Sequence, residues 1–489
     1  MRDEFPPSGM ARHLPVLLFL AAAAVVLSWN LGQGSLMPSD DAIYAQAARE
    51  ALADGRLLDV TWQGRPLFEK GPVLFWALEA AMSVAGPCDL AVRIPGVLAG
   101  LTLLLLGIAM ARAAGLSRGA ALAGAGMLLA TSLLVFNARR PMTDLPGTAI
   151  GLAGFILVAF GQGRGPAIAG GALLGLSAMV KLVAPAPFVV ALLLLQADRI
   201  FRRPSRLLMA FAVAFIVVLP WHAAMAWIHG PSFMDTYVGF HLFRRAMVLV
   251  AGEGPSIYAT WFAEKEGSTT ILIVLAVAGA VLLAFRGNRA ARAALALLAG
   301  AVLPLAVSQT ALPHYLVPLL PGLGLAAAAS SDAVFKAARP RLRIVLGWAM
   351  GIALAAAFLG ANIRDLANPD YGPGAKAVCE TLRASGDVER LAATLDLHDP
   401  ALVWYCNHPV DFLGLEPGFL SATRAIPMLR DVVKPLDAPL LQNLAARKSI
   451  IVTVPSRLEA LSSAANTAGV LLGQPSSLQG LVVVDVRLE

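Results

Sequence analysis

The run "HLPVLLFLAAAAVVLSWNLGQGSLMPSDDAIYAQAAREALADG", His13–Gly55, passes without interruption from apolar to amphipathic. Its first part, about 14–32, is long enough to cross a bilayer core, which needs about 20 apolar residues at 1.5 Å each. It lacks the small-residue cleavage site of a removed signal peptide, so it is expected to be a retained span. Beyond it, Ile43, Tyr44, Ala47, Ala48, Ala51 and Leu52 recur at helical spacing, and Gly55 stands where a C-cap belongs. Asp40 and Asp41 open this helix. After Pro38-Ser39 they suit an ordinary helix start, where serine caps and carboxylates favour the dipole. At the mouth of a membrane helix, they also suit a catalytic site.

The rest of the chain has the same character. Of 489 residues, 58% are hydrophobic and 14% charged, and the mean hydropathy of +0.71 excludes a water-soluble domain of this length. The net charge of +7 is what basic cytoplasmic loops give a polytopic membrane protein, and it needs no nucleic-acid partner. Spans are expected at about 14–32, 94–112, 119–137, 145–162, 165–180, 183–197, 207–229, 269–285, 293–309, 313–330 and 344–362, eleven in all. Arg112, Arg118, Arg164, "DRIFRRPSR", "RGNRAAR" and "KAARPRLR" fall in alternate loops, which places the N-terminus inside and the C-terminus outside.

This divides the chain into a membrane domain over 1–363, with a long outer loop at 33–93, and an outer α/β domain over 364–489. In the tail, "GAKAVCETLRA" reads as helix and "ALVWYC", "SIIVTV" and "GLVVVDVRL" read as strands. The three cysteines, Cys88, Cys379 and Cys406, exclude a disulfide framework and a zinc cluster. Cys379 and Cys406, both in the outer domain, could bridge or remain as buried thiols.

Charges gather on the outer side. "WQGRP" reads as a turn, and "LFEKGPVLFWALEAAM" as an interfacial helix with Phe75 and Trp76 at headgroup level. Glu69 and Lys70 precede it; the bland reading of Lys70 is a lysine snorkelling to phosphates, with Glu69 its partner. "NARRPMTDLPG" adds Arg139, Arg140 and Asp144, and "SAMVKLVAPAP" adds Lys181, a charge that is costly unless paired or beside water. "DTYVGFHLFRRAM" adds His241 and Arg245, spaced to share one helix face.

In combination these motifs resemble a family. "DDAIYAQAARE", "FEKGPVLFW", "AVRIPGVLAG", "RRPMTDLP", "MVKLVAP", "PWHAAMAWIHGPSFMDTYVGFHLFRR" and "LPHYLVPLLPGLGL" resemble the pattern of lipid-carrier-dependent glycosyltransferases of the GT-C class. The nearest branch is the aminoarabinose lipid A transferases, relatives of the protein O-mannosyltransferases, and the resemblance spans about 14–330. The pattern has E-K-P-P where this chain has "EKGP".

The resemblance implies a polytopic helical membrane fold with interfacial helices and a soluble outer domain. It implies inverting transfer of a sugar from a polyprenyl-phosphate donor to lipid A, another glycan or a protein, at the outer face of the bacterial inner membrane. Carried over residue by residue, catalytic acids fall on Asp40 and Asp144. Donor-phosphate cations fall on Lys70, Lys181 and Arg245, and supporting roles fall on Asp41, Tyr44, Arg93, Arg139 and Tyr315. A Glu-His pair that can hold a divalent metal ion falls on Glu69 and His241. Of the two adjacent acids, the first is expected to carry the chemistry and the second to matter less. A transporter or flippase of a lipid-linked sugar is the rival reading; it predicts inverted repeats and midplane broken helices, and no repeat is evident.

Overall fold

The computed structural model describes residues 9–196, 205–244, 247–248, 256–430 and 432–488. Each of the eleven stretches read as a span contains helix within its described residues. Six helices are long and apolar enough to cross a membrane: Asp89–Ala113, Ser205–His229, Gly267–Phe285, Arg289–Val307, Pro313–Ala337 and Pro340–Ala367. The pair Arg118–Ala130 and Ser132–Ala138 qualifies jointly but is bent by 68°. The N-terminal helix, Asp144–Phe160, Arg164–Val180 and Ala186–Leu195 are shorter apolar helices, so eleven full-length spans are not reached among the described residues.

The bend exposes backbone that lipid cannot satisfy, and the protein satisfies it with side chains. Thr131 accepts from the Leu134 amide at 3.2 Å, and the buried Glu266 carboxylate accepts from the amides of Leu133 at 2.6 Å and Ser132 at 3.2 Å. Asn362 donates to the Ala130 carbonyl at 3.2 Å. The bend turns the chain directly into "ARRPMTD", which delivers Arg139, Arg140 and Asp144.

Between the first two membrane helices, helix α1 (Asp40–Asp54) ends on Gly55 at φ 67°, as its spacing predicts. Strands β1 (Thr61–Trp62) and β2 (Arg65–Pro66) form a hairpin whose turn residues, Gln63 and Gly64, both have positive φ. Helix α2 (Val73–Ala85) begins later than expected, because Gly71-Pro72 keeps Phe68–Lys70 in a turn. Of the two aromatic residues expected at headgroup level, Trp76 is exposed, whereas Phe75 is fully buried and is not an interfacial residue.

Past Ala367 the chain forms a sheet covered by short helices, its strands β3 (Leu391–Leu395), β4 (Asp411–Gly414), β5 (Val433–Pro435), β6 (Ile450–Thr453), β7 (Val470–Leu472), β8 (Ser476–Leu478) and β9 (Leu481–Leu488). The order is β5-β4-β3-β6-β9-β7, with β8 also on β9; β3 to β6 are parallel and β9 runs antiparallel. "ALVWYC" is not a strand: Ala401–Cys406 is a helix, and Cys406 forms a disulfide with Cys379.

This sheet region sits on the segment 33–93 and shares a hydrophobic core with it. The Asp89 carboxylate accepts from Trp404 Nε1 at 3.2 Å and Tyr405 OH at 3.0 Å and pairs with Lys376 at 3.2 Å. The Tyr405 oxygen in turn accepts from the Leu36 amide at 2.6 Å; burial and the Asp89 charge push its phenol pKa up. Trp62 stacks on Phe412, and the Arg49 guanidinium covers the Trp404 ring at 4.5 Å.

Candidate active site

The chain leading into α1 is held by arginines acting on backbone carbonyls. Arg93 donates to the carbonyls of Leu31 at 2.7 Å, Gln33 at 2.6 Å and Ser35 at 2.8 Å, and Arg139 donates to those of Leu27 at 3.0 Å and Trp29 at 2.7 Å. Both side chains are buried; Arg139 satisfies carbonyls at the end of the first membrane helix, and Arg93 those of the linker beyond it.

The two acids at the head of α1 have different environments. Asp41 is buried and forms a two-point pair with Arg140, Oδ2 to Nε at 2.9 Å and Oδ1 to Nη2 at 2.6 Å, the fork geometry arginine makes with a carboxylate. Asp40 is half-buried and accepts from the Tyr44 hydroxyl at 2.9 Å, one helical turn on. Ser39 makes no side-chain capping bond, so the serine does not cap this helix.

Tyr44 links Asp40 to the next cluster. Its hydroxyl lies 3.4 Å from Glu69 Oε2; Glu69 in turn is 3.7 Å from Lys70 Nζ and 3.8 Å from His241 Nε2. Gly71 permits the turn that carries this pair: a Cβ there would lie 2.0 Å from the Met179 carbonyl oxygen. The "EKGP" turn therefore packs against the end of helix Arg164–Val180, beside Lys181, closer than any residue with a Cβ allows.

Lys181 follows that helix as its cap residue and pairs with Asp144 at 2.7 Å. Its ammonium also lies 4.5 Å from the centre of the Tyr315 ring, and His314 Nε2 is 3.9 Å from the second Asp144 oxygen. A charge in this position is tolerated because it is paired and capped by an aromatic face. Glu69, Lys70, Asp144, Lys181, His241 and Tyr315 converge on one cavity of about 310 Å³. Its other walls are mostly apolar, including Ala301, Pro304 and Leu305 of helix Arg289–Val307. Asp40 does not line this cavity but stands beyond Tyr44.

The chamber is thus charged at one end, where acids and lysines pair, and apolar along its other walls. Over 97% of its length the chain superimposes on 98% of ArnT from Cupriavidus metallidurans, solved bound to undecaprenyl phosphate, with a TM-score of 0.74 and 19% identity. The apo structure of that protein gives 0.75 and 18% over the same shares. The chain has the GT-C fold.

Residues 69–223, starting at Glu69, match the family model of dolichyl-phosphate-mannose-protein mannosyltransferases. A stretch of 132 residues is 25% identical to an uncharacterized protein of Aquifex aeolicus (strain VF5); it covers 26% of that relative's length. Within the GT-C frame the structure brings together nine of the twelve residues singled out from the sequence as site or supporting groups. Arg93 and Arg139 are fixed instead to carbonyls of the first helix's last turn and the linker after it, and Arg245 lies outside the described residues.

 Arg245 aside, the groups brought together are Asp40, Asp41, Tyr44, Glu69, Lys70, Asp144, Lys181, His241 and Tyr315.

Asp41 is the more deeply buried of the two acids and anchors the helix through Arg140. Two details depart from the sequence reading. His241 lies in a π-helix, Met234–Arg244, so residues four apart do not align as they would on an α-helix. For a resident metal ion, Glu69 and His241 do not suffice: no group of three or more His, Cys, Asp or Glu is placed to hold one among the described residues. Lys70 already stands against the same Glu69 carboxylate, so the donor set does not fit a divalent cation. His314 was not anticipated, although it immediately precedes Tyr315 in "LPHYL"; nor was Arg140 as the specific partner of Asp41.

Proposed function

We propose that this chain is a glycosyltransferase that takes a sugar from a polyprenyl-phosphate donor and passes it, with inversion, to a hydroxyl of an envelope acceptor: lipid A, another glycan or a protein. The observation that carries the proposal is the convergence of Lys70 and Lys181 on a largely apolar-walled cavity, one hydrogen-bonded tyrosine away from Asp40. ArnT from Cupriavidus metallidurans, which shares the fold, binds undecaprenyl phosphate.

Negative charge grows on the departing phosphate as the glycosidic bond breaks, and fixed cations in a dry site favour that charge more than water does. Lys70 and Lys181 supply them, and Arg245 is assigned the same role from the sequence. Asp144 holds Lys181 in place, with His314 on its other oxygen. Asp40 takes the proton from the acceptor hydroxyl as it attacks the anomeric carbon opposite the phosphate. Tyr44 orients Asp40. The basic alternate loops and the Cys379–Cys406 disulfide support placing this chemistry on the outer, oxidising face of a bacterial inner membrane.

The experiment is transfer by the purified chain in lipid nanodiscs, from a panel of radiolabelled polyprenyl-phosphate sugars to an envelope extract. Label moving to a lipid, glycan or protein with inverted anomeric configuration is the expected result. Movement of intact donor between leaflets without transfer would replace this reading with a flippase.

A further inference from the structure

Tyr237 stands in the wall of the same cavity, and its hydroxyl is buried with no hydrogen-bond partner among the described residues. The residue is 2% exposed, and its ring is held from several sides: stacked on Phe233 at 5.0 Å, and edge-on to Trp221 at 5.7 Å and His222 at 5.3 Å. The ring is therefore fixed, and the hydroxyl cannot swing out to water without breaking this cluster. An unmet buried hydroxyl costs free energy, and native structures rarely keep one without a purpose.

The π-helix explains how the hydroxyl comes to be there. Its wide turn presents Tyr237, His241 and Leu242 to the cavity together, and π-helical turns recur at functional sites. The ionic groups nearby are committed to one another: Lys70 to Glu69, and Lys181 to Asp144. A phosphate monoester has more acceptor positions than two lysines fill, and a neutral phenol can donate to one at no cost in charge.

We propose that Tyr237 donates its hydroxyl hydrogen to a phosphate oxygen of the carrier lipid, so that it is a binding residue of the donor site. The inference rests on the donor reading given above. It explains why a tyrosine rather than a phenylalanine occupies an aromatic cluster that needs only the ring.

The test uses the full chain in nanodiscs, with undecaprenyl phosphate and the uncharged alcohol undecaprenol as probes, on the unsubstituted protein and on Tyr237→Phe. Phenylalanine keeps the ring contacts, so thermal stability without lipid should be unchanged or slightly higher. The expected result is an affinity for undecaprenyl phosphate about tenfold weaker in Tyr237→Phe, as for a lost hydrogen bond to a charged group, with the alcohol bound equally by both proteins. Equal affinity for the phosphate would overturn the inference, as would equal weakening for phosphate and alcohol, which would assign the effect to packing. Failure of the unsubstituted protein to bind the phosphate would instead remove the donor reading itself.

Discussion

The Tyr44 hydroxyl stands between Asp40 and Glu69, 2.9 Å from the first carboxylate and 3.4 Å from the second. It has one hydrogen to give, and the shorter contact gives it to Asp40. Asp40, the proposed base, and Glu69, beside the proposed phosphate site, are thus joined through a single ring. The substitution Tyr44→Phe keeps the ring against Phe75 and removes the link. Turnover should fall about tenfold, the worth of one hydrogen bond to a charged group, with little change in donor KM. Steady-state kinetics on the purified variant check this; a change in KM alone would make Tyr44 a donor-binding residue.

Asp41→Asn should act on stability. It leaves the buried Arg140 guanidinium facing a neutral amide, and breaking a buried pair costs about 3 kcal/mol or more. Thermal unfolding in detergent should show a clearly lowered midpoint, whereas Asp40→Asn should leave it near that of the unsubstituted protein.

Gly71→Ala places a methyl group into the Met179 carbonyl. The "EKGP" turn must then lift away from helix Arg164–Val180, carrying Lys70 away from Lys181. Misplacement on the scale of 1 Å costs about 100-fold in kcat/KM. The control is Gly165→Ala, where nothing lies within 4 Å of the added carbon and kinetics should be unaltered.

Asp399 gives the C-terminal sheet region a pH dependence. Burial raises its carboxyl pKa to about 6 from the ordinary 3.8, partly offset by the Ala401 amide it caps. A raised acid pKa penalises the folded state once the group ionises. The penalty is therefore absent below pH 3.8, grows as pH rises through about 6, and approaches roughly 3 kcal/mol above it. Asn keeps the cap without the charge, so Asp399→Asn should raise the unfolding midpoint at pH 7.5 and confer nothing at pH 4. Because His398 is pushed down to about 4 and opposes this trend in acid, the comparison is between the two proteins at each pH rather than along one curve.

The membrane helices were legible because long apolar runs permit few alternatives, and the segment 33–93 was legible because Gly55, Gln63-Gly64 and Pro72 punctuate it. "ALVWYC" was misread because a six-residue apolar run carries no decisive period; the Asp399-Pro400 start in front of it was the informative signal. The bend after Ala130 was hidden because its support comes from Glu266 and Asn362, far along the chain. The same holds within the site. Residue types singled out Asp40, Lys70 and Lys181, but only the fold shows that Asp41 answers to Arg140 and that Asp144 pairs with Lys181.

The most direct test of the account separates binding from transfer in one variant. Asp40→Asn in nanodiscs should bind undecaprenyl phosphate as the unsubstituted protein does, because Asp40 does not line the carrier cavity, and should transfer no sugar from a radiolabelled polyprenyl-phosphate donor. Near-normal turnover by Asp40→Asn would contradict the account and return Asp40 to the role of a helix-start residue.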